Sequence, residues 1–96
     1  MDIQKVLIAD DEKHIREILK MYCEKEGFDV IEAADGAEAI LKVQSEKPDI
    51  LILDIMMPVM DGLEVCKQVR KMSDLPIIML TAKDEDDDRI LGLEIG

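Results

Sequence analysis

Short continuous apolar runs alternate along this chain with segments whose apolar residues recur at helical spacing. Lys5-Val6-Leu7-Ile8-Ala9 is the first such run, and it ends at Asp10-Asp11. Behind it Ile15, Ile18, Leu19, Tyr22 and Cys23 fall at i, i+3, i+4, i+7 and i+8, one stripe of an amphipathic helix, and Gly27 stops it. Residues 29–33 form a second, weaker strand. Ala37, Ile40 and Leu41 mark a second helix, closed before Pro48 because the residue preceding a proline is biased away from helical backbone. Ile50-Leu51-Ile52-Leu53 is a strand apolar on both sides and is followed by Asp54. Leu63, Cys66, Val69 and Met72 sit on a third helix. Ile77-Ile78-Met79-Leu80 forms a fourth strand ending at Thr81, and Ile90 with Leu93 marks a fourth helix closing on Gly96.

The pattern is βαβαβαβα, without linker or repeat. Such alternation predicts an α/β fold: a doubly wound parallel sheet with helices on both faces, joined by right-handed crossovers. Strands covered on both faces need not alternate in polarity, which agrees with the continuous apolar runs. Two helices open alike, with Asp35-Gly36-Ala37-Glu38 and Asp61-Gly62-Leu63-Glu64 each placing Asp at the N-cap and Glu three residues on. Asp35 and Asp61 are therefore read as caps.

Composition narrows the function. Ninety-six residues suffice for one domain. With no Trp, one Tyr and one Phe but seven Met, the core is aliphatic and Met-rich. Twelve Lys and Arg against twenty-three Asp and Glu give a net charge of −11, which repels phosphate backbones and anionic lipid, so direct nucleic-acid or membrane binding is not expected. No apolar run approaches the length of a membrane span and no signal peptide opens the chain, which reads as cytoplasmic. Cys23 and Cys66 are isolated and read as buried reduced thiols.

In an open α/β sheet, ligands bind beyond the carboxyl ends of the strands, where the strand order reverses. Asp10 and Asp11 end the first strand, Asp54 the third and Thr81 the fourth. With strand order 2-1-3-4, the first and third strands flank that point and the three carboxylates converge. The plainer reading makes them loop residues, with Asp11 capping the first helix. Two unit charges about 4 Å apart near a protein surface repel by roughly 4 kcal/mol, so a carboxylate cluster takes up protons or holds a cation. Oxygen-only ligands select a hard cation, and Mg²⁺ suits a site that shares phosphate oxygens with a substrate. A magnesium ion beside a free carboxylate also fits phosphoryl transfer to that carboxylate, with Asp54 as nucleophile.

Asp54-Ile55-Met56-Met57-Pro58-Val59-Met60-Asp61-Gly62, taken with Asp10-Asp11 and Leu80-Thr81-Ala82-Lys83, closely resembles the receiver domain of bacterial two-component response regulators. Leu75-Pro76-Ile77-Ile78-Met79-Leu80-Thr81-Ala82 and Gly92-Leu93-Glu94-Ile95-Gly96 look most like the subfamily whose receivers precede a winged-helix DNA-binding domain. The resemblance covers residues 1–96 and implies a flavodoxin-like sheet. It implies that Asp54 accepts a phosphoryl group from a sensor histidine kinase, and that Asp11 and Asp54 ligate Mg²⁺ directly. Asp10 would ligate through water, and the backbone carbonyl of Met56 would complete the protein ligands. The Thr81 hydroxyl would then engage the phosphoryl oxygens and carry the signal onward, with a DNA-binding output domain in the parent protein controlling transcription. Such a domain is not an enzyme; at most it phosphorylates itself from small donors and dephosphorylates itself.

The resemblance also implies a fifth strand, bearing a phosphate-binding Lys and a switch aromatic, and a fifth helix. The sequence reaches Gly96 where that unit is expected to begin, and so reads as a receiver truncated after the fourth helix. On that reading residues 77–80 form an apolar edge with unpaired backbone groups, a template for a homodimer or for strand exchange. The rival to a working switch is a self-associating fragment that keeps the acidic pocket. Other readings fit less well. An aspartate phosphatase wants D-x-D, but Met56 stands two after Asp54; a nucleotide site wants a Gly-rich turn, but Asp10-Asp11-Glu12 has none. Residues 84–88 look superficially like a calcium loop, but Arg89 stands at its sixth position and Ile95 at its twelfth, so they read as a solvated helix start. His14 lies off the apolar stripe and reads as surface.

Overall fold

The computed structural model describes residues 4–54, 57, 62–82 and 89–92. In chain order the elements are β1 (Lys5–Ala9), α1 (Lys13–Lys25), β2 (Asp29–Ala33), α2 (Gly36–Glu46), β3 (Ile50–Asp54), α3 (Gly62–Arg70), β4 (Ile77–Ala82) and β5 (Arg89–Gly92). The first four strands are parallel in the order 2-1-3-4, as expected. Leu7 pairs with Ile31 on one side and Leu51 on the other, and Leu51 in turn with Ile77.

Two faces follow from the period of two along each strand. Leu7, Ala9, Leu51, Leu53, Ile77 and Met79 project to one side, where α2 and α3 cover them with Ala39, Val43, Val65 and Val69 to form the buried core. Burying each of the large aliphatic side chains there contributes about 1.5–3 kcal/mol. Right-handed crossovers place α1 on the other side, against β1 and β2. That layer is thinner. Val6 and Ile8 beneath it are buried, but Ile50, Ile52 and Ile78 are only half-buried and no residue of α1 itself is fully enclosed. Tyr22, on the expected stripe, is 60% exposed.

Local signals explain most boundaries. Asp35 caps α2, its Oδ1 accepting the Glu38 N–H at 2.8 Å, while Glu38 Oε1 accepts from the Ala34 N–H. α1 closes through Gly27 at φ +95°, a backbone conformation suited to glycine. The expected cap Asp61 lies outside the described residues, as do residues 84–88. Both cysteines are free thiols, half-buried where full burial was expected. Burial, and then the neighbouring Glu24 carboxylate, pushes the Cys23 thiol up from its ordinary value. His14 is exposed, as expected.

The segment after β4 corrects two expectations. Ile90 lies in a strand rather than a fourth helix, and residues 77–80 are not a bare edge: β5 runs antiparallel along β4, pairing Met79 with Gly92, Thr81 with Ile90 and Ala82 with Arg89. Leu93 lies outside the described residues. The reason is a competition between weak and strong demands. The helical pattern rested on two apolar positions, whereas β4 presents a row of backbone donors and acceptors that is costly to leave unmet beside an apolar strand. β5 supplies an antiparallel partner, a common edge to an otherwise parallel sheet.

Candidate functional site

Parallel strands deliver their carboxyl ends to one edge, so the acidic positions meet there by topology. Ala9 pairs with Leu53, which sets Asp10 and Asp54 side by side as the next residues of adjacent strands. The Asp10 N–H donates to the Ala33 carbonyl, continuing the β1–β2 ladder one step past the strand. Asp54 ends β3 opposite Leu80 of β4, so Thr81 comes directly after it at the same edge. Asp11 begins the turn into α1.

The side chains converge. Asp10, Asp11 and Asp54 each offer a carboxylate oxygen, and these atoms all lie within 4.8 Å of one another. Asp10 is fully buried and Asp54 is 3% exposed, while Asp11 opens to solvent. The plainer reading of Asp11 as a helix cap does not hold, because Glu12 occupies the N-cap position of α1 and its side chain makes no capping bond. Asp10 Oδ1 accepts the Glu12 N–H at 2.9 Å, and this bond folds the turn so that Asp11 faces the same space. Two buried carboxylates beside a third that is exposed form an oxygen-only donor set, which fits a hard divalent cation such as Mg²⁺. Met56, whose carbonyl was expected to join the set, lies outside the described residues, as does Lys83. Thr81 takes its place on β4 by backbone register.

Sequence reasoning missed Arg16 and Glu32. Arg16 Nη1 donates to the Asp10 backbone carbonyl at 2.8 Å, and its Nε donates to Glu32 Oε1 at 3.0 Å. Lys20 Nζ lies 3.8 Å from the other Glu32 oxygen, and Lys42 Nζ donates to the Glu32 carbonyl at 2.8 Å. The signal was a charged residue inside the β2 run Asp29-Val30-Ile31-Glu32-Ala33, next to the strand's carboxyl end. A cavity of about 390 Å³ lined by Val43, Lys47, Pro48, Met72 and Leu75 lies at the opposite edge, before β3 and β4 begin, and holds none of these carboxylates.

The 2-1-3-4 order of the four parallel strands and the acidic cluster at its switch point agree with a phosphorylation-based signalling domain, and the family comparison shows which kind. The family model of the response regulator receiver domain matches residues 6–96, and the chain belongs to that family. It is 52% identical over 94 residues to the alkaline phosphatase synthesis transcriptional regulatory protein PhoP of Bacillus subtilis, an alignment covering 97% of this chain and 39% of that protein. The chain thus spans about two fifths of that relative's length. Among solved structures, the chemotaxis protein CheY4 of Vibrio cholerae is similar with a TM-score of 0.82 and 40% identity, over 88% of this chain and 72% of that one. The receiver domain of the Francisella response regulator 1452 is similar with a TM-score of 0.78 and 38% identity, over 85% and 69% respectively. Among the described residues, no helix is long and apolar enough to cross a membrane.

Proposed function

We propose that residues 1–96 are the phosphoacceptor module of a cytoplasmic transcriptional regulator, taking a phosphoryl group from a sensor histidine kinase onto Asp54. The observation that carries this reading is the cluster of Asp10, Asp11 and Asp54 at the carboxyl edge of β1 and β3, with the nucleophile candidate buried at its floor. Asp11 and Asp54 would hold Mg²⁺ directly and Asp10 through water, with the Met56 carbonyl as the further ligand that the family resemblance implies. When bound there, the ion would supply positive charge to the phosphoryl oxygens. An Asp54 carboxylate oxygen forms the new P–O bond as the P–N bond of the donor phosphohistidine breaks. The electron pair stays on the departing imidazole nitrogen, which takes up a proton. Thr81 then hydrogen-bonds the phosphoryl oxygens from β4, and the added charge biases β4 and the chain beyond it. A DNA-binding output domain of the winged-helix kind reads that change in the parent protein. The name of the B. subtilis relative, a transcriptional regulatory protein, supports the output.

Incubation with acetyl phosphate and Mg²⁺, followed by intact-mass measurement, tests the proposal. Wild type is expected to gain the mass of one phosphoryl group only with Mg²⁺ present, and Asp54→Asn to gain none. A wild type that gains no Mg²⁺-dependent mass overturns it. A chain that is phosphorylated while its amide NMR spectrum changes only around the pocket favours the rival reading, a fragment that has kept the site and lost the switch.

A further inference from the structure

We propose that Arg16 is the positioning residue of the acidic pocket, clamped by Glu32 so that it holds the peptide group joining Asp10 to Asp11. The inference rests on the reading of that pocket as a cation site. The carbonyl to which Arg16 Nη1 donates belongs to the one peptide group between two of the three carboxylate residues. Its orientation sets ψ of Asp10 and φ of Asp11, and through them the directions in which both side chains leave the backbone. The bond from the Glu12 N–H to Asp10 Oδ1 secures one side of this turn, and Arg16 secures the other.

Arg16 is itself well placed to be rigid. Its side chain is 14% exposed, and Nε and Nη1 lie in one plane, so a single guanidinium spans the carboxylate of Glu32 and the carbonyl of Asp10 with fixed geometry. Glu32 is fixed in turn by its place in β2, by Lys20 on its carboxylate and by Lys42 on its carbonyl. The turn is thereby tied to a neighbouring strand, independently of α1's thin apolar contact with the sheet. Lysine at position 16 has no planar fork and can serve one of the two acceptors well but not both together. Partners that orient ligating groups from outside the ligand set are typically worth about 10–100-fold in metal affinity.

The experiment measures Mg²⁺ binding by isothermal titration calorimetry and, beside it, phosphorylation rate by acetyl phosphate as a function of Mg²⁺ concentration, with circular dichroism confirming that each variant is folded; the dissociation constant and the half-maximal Mg²⁺ concentration are expected to move together. Arg16→Ala is expected to need about tenfold more Mg²⁺ for half-maximal rate while keeping the maximal rate, a split that lost stability alone does not produce. Arg16→Lys and Glu32→Gln are expected to fall between, and the double variant Arg16→Ala/Glu32→Gln to match Arg16→Ala alone, since both residues act through one contact. A folded Arg16→Ala with the wild-type Mg²⁺ dependence overturns the inference and leaves the pocket reading standing. If Arg16→Ala does not fold, wild-type Mg²⁺ dependence in both Arg16→Lys and Glu32→Gln overturns it equally. A wild type without any Mg²⁺ dependence overturns the pocket reading, and this inference with it.

Discussion

Replacing Asp10 by Asn tests the electrostatics of the pocket without disturbing its shape. The two side chains are isosteric, and the amide oxygen can still accept the Glu12 N–H that Asp10 Oδ1 accepts at 2.9 Å. What changes is one negative charge, buried beside the nearly buried Asp54 within a cluster bounded by 4.8 Å. Coulomb's law with an effective dielectric constant near 20 gives roughly 3.5 kcal/mol of repulsion for one such pair. Asp11 at the open rim admits water and counterions, which lowers the net effect. Asp10→Asn is therefore expected to be about 2 kcal/mol more stable than wild type at pH 8 with chelator present. Magnesium must reverse part of this ordering: at about 100 times its dissociation constant it adds roughly 2.7 kcal/mol to wild type by mass action, and less to a variant that binds it more weakly. Urea unfolding monitored by circular dichroism, with EDTA and with excess Mg²⁺, reads both quantities. An Asp10→Asn chain less stable than wild type in EDTA refutes the repulsion argument. A wild-type midpoint indifferent to Mg²⁺ refutes the assignment of a cation to the pocket.

Two further expectations concern the scaffold. Asp35→Ala removes the acceptor of the Glu38 N–H and is expected to lower stability by about 1 kcal/mol, read as a reduced urea midpoint with an unchanged slope. Gly27→Ala adds a Cβ that meets nothing within 4 Å, so its cost comes from the φ of +95° alone, about 1–2 kcal/mol by the same measurement.

The carboxyl edge of the sheet was legible because it depends on local order alone. Three of the four apolar runs stop at an acidic or hydroxyl residue, and once the strands are parallel those stops align. The cap at Asp35 was legible for the same reason, its partner lying three residues away. The structure's additions come from groups distant in sequence. Arg16 meets Glu32 across sixteen residues, and nothing in the helical spacing around Ile15 and Ile18 marks that meeting. The fate of Ile90 was misread because a two-residue apolar pattern was weighed without the partner it would find on β4. The stripe of α1 was correctly located, but how little of it the sheet would cover depends on the whole layer on that side.

The unequal thickness of the two layers gives the pocket one stiff jaw and one compliant jaw. Asp54 is carried by β3, whose Leu51 and Leu53 are sealed under α2 and α3, so its amides are expected to exchange with solvent only when the whole domain opens. Asp11 leads into a helix with no fully enclosed residue, which can loosen at much lower cost. A ligand spanning both carboxylates would spend its ordering cost on the β1–α1 turn, less what the Arg16–Glu32 clamp has already fixed there. Occupancy of the pocket and motion of α1 are then two readings of one equilibrium.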